Sequence, residues 1–247
     1  MSRLRPLITI FITVMVVACN FTEEIYINDD GSGKLSINFD ANELMSMAGS
    51  VDSLKQEQPV DSTIVFKQLL EEKKDSISKL SPEEQAKLKK LEPFSMHMVM
   101  NPEAQEMRFE LFSEFKKINE VNDAFNAFQS ASAIGPTPGG GSQAPPMPAN
   151  EPTTKVNYDF SGNTFSRTIE IIDQELFQKS VDSLAGAEMF LSGSTYTFKY
   201  HFPRRVKNVN VEGATFSMDG KTMIYEVSFL DMMKTPEAIK LEVELED

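Results

Sequence analysis

Apolar residues recur along this chain in two alternating rhythms. Glu24-Ile25-Tyr26-Ile27-Asn28 and Lys34-Leu35-Ser36-Ile37-Asn38-Phe39 alternate with period two, as strands do. Asp29-Asp30-Gly31-Ser32-Gly33 lies between them and supplies the positive-φ positions of a hairpin turn. Asp40-Ala41-Asn42-Glu43 has the form of a capping box and predicts a short helix to about Gly49, followed by a polar loop. From Ser62 to Leu80 the rhythm changes. Phe66, Leu69, Leu70, Ile77 and Leu80 step by threes and fours, which predicts a helix. Ser81-Pro82-Glu83-Glu84 restarts a helix, with proline at its first position, running to about Leu91.

The pattern then repeats in kind. Phe94–Met100 and Glu106–Phe115 flank a turn at Asn101–Gln105, with Met107, Phe109 and Leu111 on one face. A helix is predicted from Ile118 to Ser130, burying Ile118, Val121, Phe125 and Phe128. A third hairpin joins Lys155–Phe160 to Thr164–Ile172. Asp173 is then the N-cap of an amphipathic helix whose buried stripe is Leu176, Phe177, Val181 and Leu184. From Thr195 the chain reads as strand throughout: Thr195–Phe202, Arg205–Val211, Ala214–Ser217, Lys221–Phe229 and Ile239–Leu245, with a tight turn at Asp219-Gly220. Three hairpin-then-helix units predict an α+β fold: an antiparallel sheet built from hairpins, with amphipathic helices packed on one face. The units share no residue-level identity.

Two stretches break the rhythm. Residues Ala133 to Thr154 are rich in proline and glycine and cannot form helix or sheet, so they are either a linker or a long insertion in one α+β domain spanning 19–247. At the other extreme, MSRLRPLITIFITVMVVAC pairs a basic head, Arg3 and Arg5, with an uncharged apolar run from Leu7 to Ala18. That is the form of a secretory signal over residues 1–18; a spanning helix needs about 20 apolar residues. The run ends in Val16-Val17-Ala18-Cys19, and Cys19 is the sole cysteine. This end resembles the lipobox of bacterial lipoproteins. The resemblance implies cleavage before Cys19, diacylglycerol on its sulfur and an acylated new amino terminus. Asn20 is not the aspartate that, in some Gram-negative bacteria, retains lipoproteins at the inner membrane, so the resemblance points to the outer membrane or cell surface. Residues Asn20–Glu24 read as a short polar tether, and the Glu23-Glu24 pair resembles the acidic tags of surface-exported lipoproteins.

A further resemblance rests on Asp30-Gly31 near the start, on Phe202-Pro203 and Asp219-Gly220, and on Tyr225-Glu226-Val227. These are similar to features of small extracytoplasmic lipoprotein domains of the LppM type. The likeness covers the two ends of the mature chain and leaves residues 50–92 without a counterpart. It implies an α+β body and, through the family, an association with lipid or glycolipid binding.

Composition narrows the function. The formal charge is −13, and losing Arg3 and Arg5 with the signal takes it to −15. Such a body repels nucleic-acid phosphates and anionic headgroups alike, so no nucleic-acid partner is expected and membrane attachment falls to the lipid. A single cysteine excludes an internal disulfide. Asn28, Asp30, Ser32 and Gly33 match the first positions of a calcium loop, but position 12 is Phe39 where a bidentate glutamate is needed. His97 and His201 lack metal-ligand spacing, and Ser53 and Ser76 sit in no nucleophile motif. Gly139-Gly140-Gly141 has no strand before it and no helix after it. No cofactor, no metal and no enzymatic activity are therefore expected. Arg204, Arg205 and Lys207 read as a solvated strand end. Met96, Met98 and Met100 line one strand face, with Met45, Met47 and Met107 as candidates to meet them. They fill the core or form a groove for an apolar ligand. The expected function is that of a lipid-anchored envelope protein, non-enzymatic, structural or partner-binding; the alternative is a carrier or sensor of an apolar or lipid ligand in that methionine-lined groove.

Overall fold

The computed structural model describes residues 20–42, 45, 59–134, 152–186 and 188–247. The signal, Cys19, Met47, most of the helix predicted after Asp40, and the Pro/Gly-rich stretch from 135 to 151 lie outside them.

The chain begins in the middle of its sheet. Strand β1 (Asn20–Ile27) turns through Asn28–Ser32 into β2 (Gly33–Asp40). Gly31 takes φ +79°, as the turn requires. Strand β3 (Val60–Val65) leads into α1 (Phe66–Glu72), α2 (Lys74–Ile77) and α3 (Pro82–Lys89). Strands β4 (Ser95–Asn101) and β5 (Glu106–Phe115) form the next hairpin. A 3-10 turn (Ile118–Val121) and α4 (Ala124–Ile134) follow, then β6 (Thr154–Ser161), β7 (Thr164–Ile171), α5 (Gln174–Leu184) and α6 (Glu188–Leu191). The last part holds β8 (Thr195–His201), β9 (Val206–Val209), β10 (Thr215–Phe216), β11 (Thr222–Ser228), α7 (Phe229–Lys234) and β12 (Leu241–Leu245).

Twelve strands among the described residues form two sheets, so the class is α+β as predicted. The larger runs β10-β11-β8-β1-β2-β5-β4-β3 and the smaller β6-β7-β12-β9. All pairings are antiparallel except β1 with β8, which run parallel from Asn20↔Thr195 to Tyr26↔His201. One face of the large sheet is buried. The other carries Thr22, Glu24, Tyr26, Lys199 and His201 and is open, as antiparallel sheets allow. The covering layer is more than the predicted helices: the small sheet lies in it together with α4 and α7, and one contiguous core draws on both sheets.

Phe21 is the hub of that core. Its ring stacks on Phe39 at 4.4 Å and Phe229 at 4.5 Å, and meets Phe125 and Phe128 edge-on at 6.3 Å. The predicted tether at Asn20–Glu24 is thus overturned. These residues are already strand, because Phe21 and Glu23 continue inward the phase of Ile25 and Ile27.

Two predicted helices and one predicted run of strands also change. Val60–Val65, assigned from Ser62 onward to helix, pairs with β4 instead; its β-branched residues suit an edge strand. The helix over 118–130 breaks at Asp123, which takes φ +60°. The break has a use: the side chains of Asn122 and Asp123 accept the Tyr158 and Val156 amides at 2.8 Å each, pinning β6. Asp40 accepts the Asn42 amide at 3.0 Å; Glu43, and with it the predicted box, lies outside the described residues. The tail from Thr195 is not all strand, since Ser228 accepts the Asp231 amide and caps α7. The Ser81–Glu84 box and the Asp173 cap form as predicted.

Candidate functional site

The charged groups nearest the centre of the molecule are Glu23 of β1 and Arg167 of β7. They are 0% and 2% exposed and lie between the two sheets. Arg167 Nε donates to Glu23 Oε1 at 3.3 Å, and a guanidinium amine donates to the Ile239 carbonyl at 3.4 Å. Two tyrosines of β8 complete the carboxylate: Tyr196 donates to Oε2 at 2.8 Å and Tyr200 to Oε1 at 2.5 Å. The Arg167 guanidinium also lies 4.8 Å from the Phe198 ring centre.

Burial pushes the hydroxyls of Tyr158, Tyr196 and Tyr200 well above the usual tyrosine range, and the Glu23 charge pushes them the same way. Burial alone would lower Arg167, but the Glu23 charge outweighs it and the net shift is upward. The cluster therefore sets a charged guanidinium and neutral hydroxyls around Glu23. Among the described residues the Tyr158 hydroxyl is buried with no hydrogen-bond partner. Because β1, β7 and β8 each contribute, the cluster fastens the small sheet to the large one. It was absent from the sequence reading, although its signal is present: a glutamate and an arginine each occupy an inward phase between apolar neighbours.

Next to Arg167 lies a cleft of about 60 Å³ between α4, α5, α7 and β6–β7, lined by Phe125, Val156, Ile169, Phe177, Leu184 and Met232 among others. That is room for a few waters, well short of an acyl chain.

The groups singled out in the sequence lie elsewhere. Met96, Met98 and Met100 are all buried; Met98 and Met100 pack with Met45, against Val60, Met107 and Phe109. Among the described residues they fill core and line no groove; Met47 lies outside those residues. His97 faces Asp61 at 2.8 Å. His201 lies across the sheet, stacked on Tyr26 at 3.9 Å, with its ring nitrogens 2.8 Å from Glu24 and 3.0 Å from Thr222. Glu24 also meets Lys199 at 2.9 Å and accepts from Tyr26 at 2.9 Å. Burial would raise its pKa, but hydrogen bonds from Lys199, His201 and Tyr26 bring it below the ordinary value. Asp30 is spent on Ser32 in its turn. No group of three or more ligating side chains is set for a metal among the described residues.

The basic cluster is not a free strand end. Arg204 donates to Asn163 at 2.8 Å and to the carbonyls of Gly162 and Glu246. Arg205 donates to the Asp219 carbonyl, and Lys207 meets Glu244 at 2.6 Å. Arg204 thus ties Glu246, just past β12, to the β6–β7 turn.

The molecule thus belongs to the α+β class, with a two-sheet core closed by a buried ion pair. Among solved structures it is similar to the folded domain of LppM from Mycobacterium tuberculosis, determined by NMR. The TM-score is 0.41 at 9% identity, covering 94% of this chain and 91% of that one. No family model and no curated protein matches the chain. No helix among the described residues is long and apolar enough to cross a membrane.

Proposed function

We propose that this chain is a lipoprotein of the bacterial cell envelope, anchored through diacylglycerol on Cys19, whose body binds a partner protein or serves a structural role without catalysis. The observation that carries the reading is the sequence Val16-Val17-Ala18-Cys19, the sole cysteine of the chain at the end of a basic-headed apolar run. A mature charge of −15 supports a lipid rather than an electrostatic attachment. Asn20 at the following position favours the outer membrane or the cell surface over the inner membrane. A non-catalytic role fits an ion pair sealed by its own tyrosines.

Replacing Cys19 by alanine tests the anchor. Wild-type protein is expected to partition into the detergent phase and to carry the mass of a diacylglyceryl group and an acyl chain. The variant is expected in the aqueous phase or as uncleaved precursor. A wild-type product with a bare sulfur overturns the reading.

A further inference from the structure

We infer that the body docks against the bilayer by one defined end of its large sheet, with the β4–β5 turn at the lipid surface and the β1–β2 turn facing away. The inference rests on the lipid-anchor reading of Cys19. It adds what that reading leaves open: how the body sits.

Chain length between anchor and sheet sets how the body can sit. A lipidated cysteine holds its backbone at the headgroup level. A flexible tether of n residues would let the body wander by about 5–6 Å × √n. Here the allowance is nil. Asn20, the next residue, is already in register with Asp40 of β2 and Thr195 of β8, and the Thr195 hydroxyl donates to its side chain at 3.0 Å. Consecutive Cα atoms are about 3.8 Å apart, so the sheet starts within one residue of the anchor.

Register then identifies which end is near. Asp40 pairs with Arg108 of β5, and Arg108 with Val99 of β4, so these residues lie in one row with Asn20 across the sheet. The β4–β5 hairpin continues past this row, through Asn101↔Glu106 to its turn at Pro102–Gln105. At about 3.3 Å per residue it runs roughly 7–10 Å beyond that row along its own axis; the twist of about 20–25° per strand over three strands leaves roughly 2–5 Å of this along β1, on the Asn20 side. The β1–β2 turn lies the other way, about 23 Å from Asn20 along β1 by the same spacing. The near end is held down by the anchor and not by attraction, for it carries Asp40, Glu103 and Glu106 against Arg108.

Lipidation occupies Cys19, so a second cysteine can be labelled alone. Ala104→Cys at the near turn and Asp29→Cys at the far turn, both exposed, would each carry a fluorophore in full-length protein reconstituted into phosphatidylcholine vesicles holding a headgroup-level spin-labelled lipid. Quenching at position 104 is expected to exceed that at position 29 several-fold. Ten Gly/Ser residues inserted between Cys19 and Asn20 should abolish the difference while leaving vesicle binding intact. Equal quenching in lipidated, vesicle-bound protein, or a difference that survives the insertion, overturns the docking alone. An unlipidated protein that does not bind vesicles overturns the anchor, and the docking with it.

Discussion

Glu23 shows how much one side chain decides. It sits next to Glu24 in sequence, yet the two face opposite sides of β1. Glu24 lies in a surface group with Lys199, His201 and Tyr26, whereas Glu23 is sealed between the sheets. The acidic pair therefore cannot be read as a pair on the folded protein. Glu23→Gln leaves the Arg167 charge buried without its partner and is expected to cost about 3–5 kcal/mol in chemical denaturation. Replacing both residues together by Leu and Met removes the lone charge but leaves the Tyr196 and Tyr200 hydroxyls without their acceptor, so it should recover only part of that loss. At Glu24 the folded state lowers the pKa, so its contribution to stability is present above the unfolded value, near 4.5, and is lost as pH falls through the lower folded value. Acid titration of Glu24→Gln should therefore show a shallower loss of stability below about pH 4.5 than wild type.

At the scale of elements, α1, α2 and α3 form an excursion between β3 and β4 that is held mainly at its ends. Phe66 is buried, and its amide donates to the Phe94 carbonyl at 3.2 Å; α2 and α3 bury no residue. Helix α3 thus depends on its own cap. The Ser81 hydroxyl accepts the Glu84 amide at 3.2 Å, and Glu84 accepts the Ser81 amide at 2.9 Å. Ser81→Ala is expected to cost about 0.5–2 kcal/mol. Hydrogen exchange should show the loss in the amides of α3 while those of β1 and β8 keep their protection. The same elements show what the sequence could convey. The three hairpins, the Ser81 box and the Asp173 cap were legible because each is fixed by neighbouring residues. Strand β3 was not, because a helical stripe begins at Phe66 and the β4 edge that recruits Val60–Val65 is thirty residues away. Nor was the Glu23–Arg167 pair. Alternation puts both side chains inward, but only the packing of two sheets brings residues 144 apart together. The break at Asp123 was hidden for the same reason, since its partner is the edge of β6.

For the whole molecule, the defining feature is the place of β1, between β2 and β8 in the eight-stranded sheet. One neighbour follows after a five-residue turn. The other begins 175 residues away. Under the proposed lipid-anchored reading, a chain exported amino end first delivers this strand ahead of the rest of the body, yet its second flank stays unpaired until Thr195–His201 has crossed. Such distant closure makes folding slow and leaves an apolar strand edge waiting. A chaperone that shields extended segments would find its best target in residues 20–27, and only for as long as that partner strand had not yet arrived.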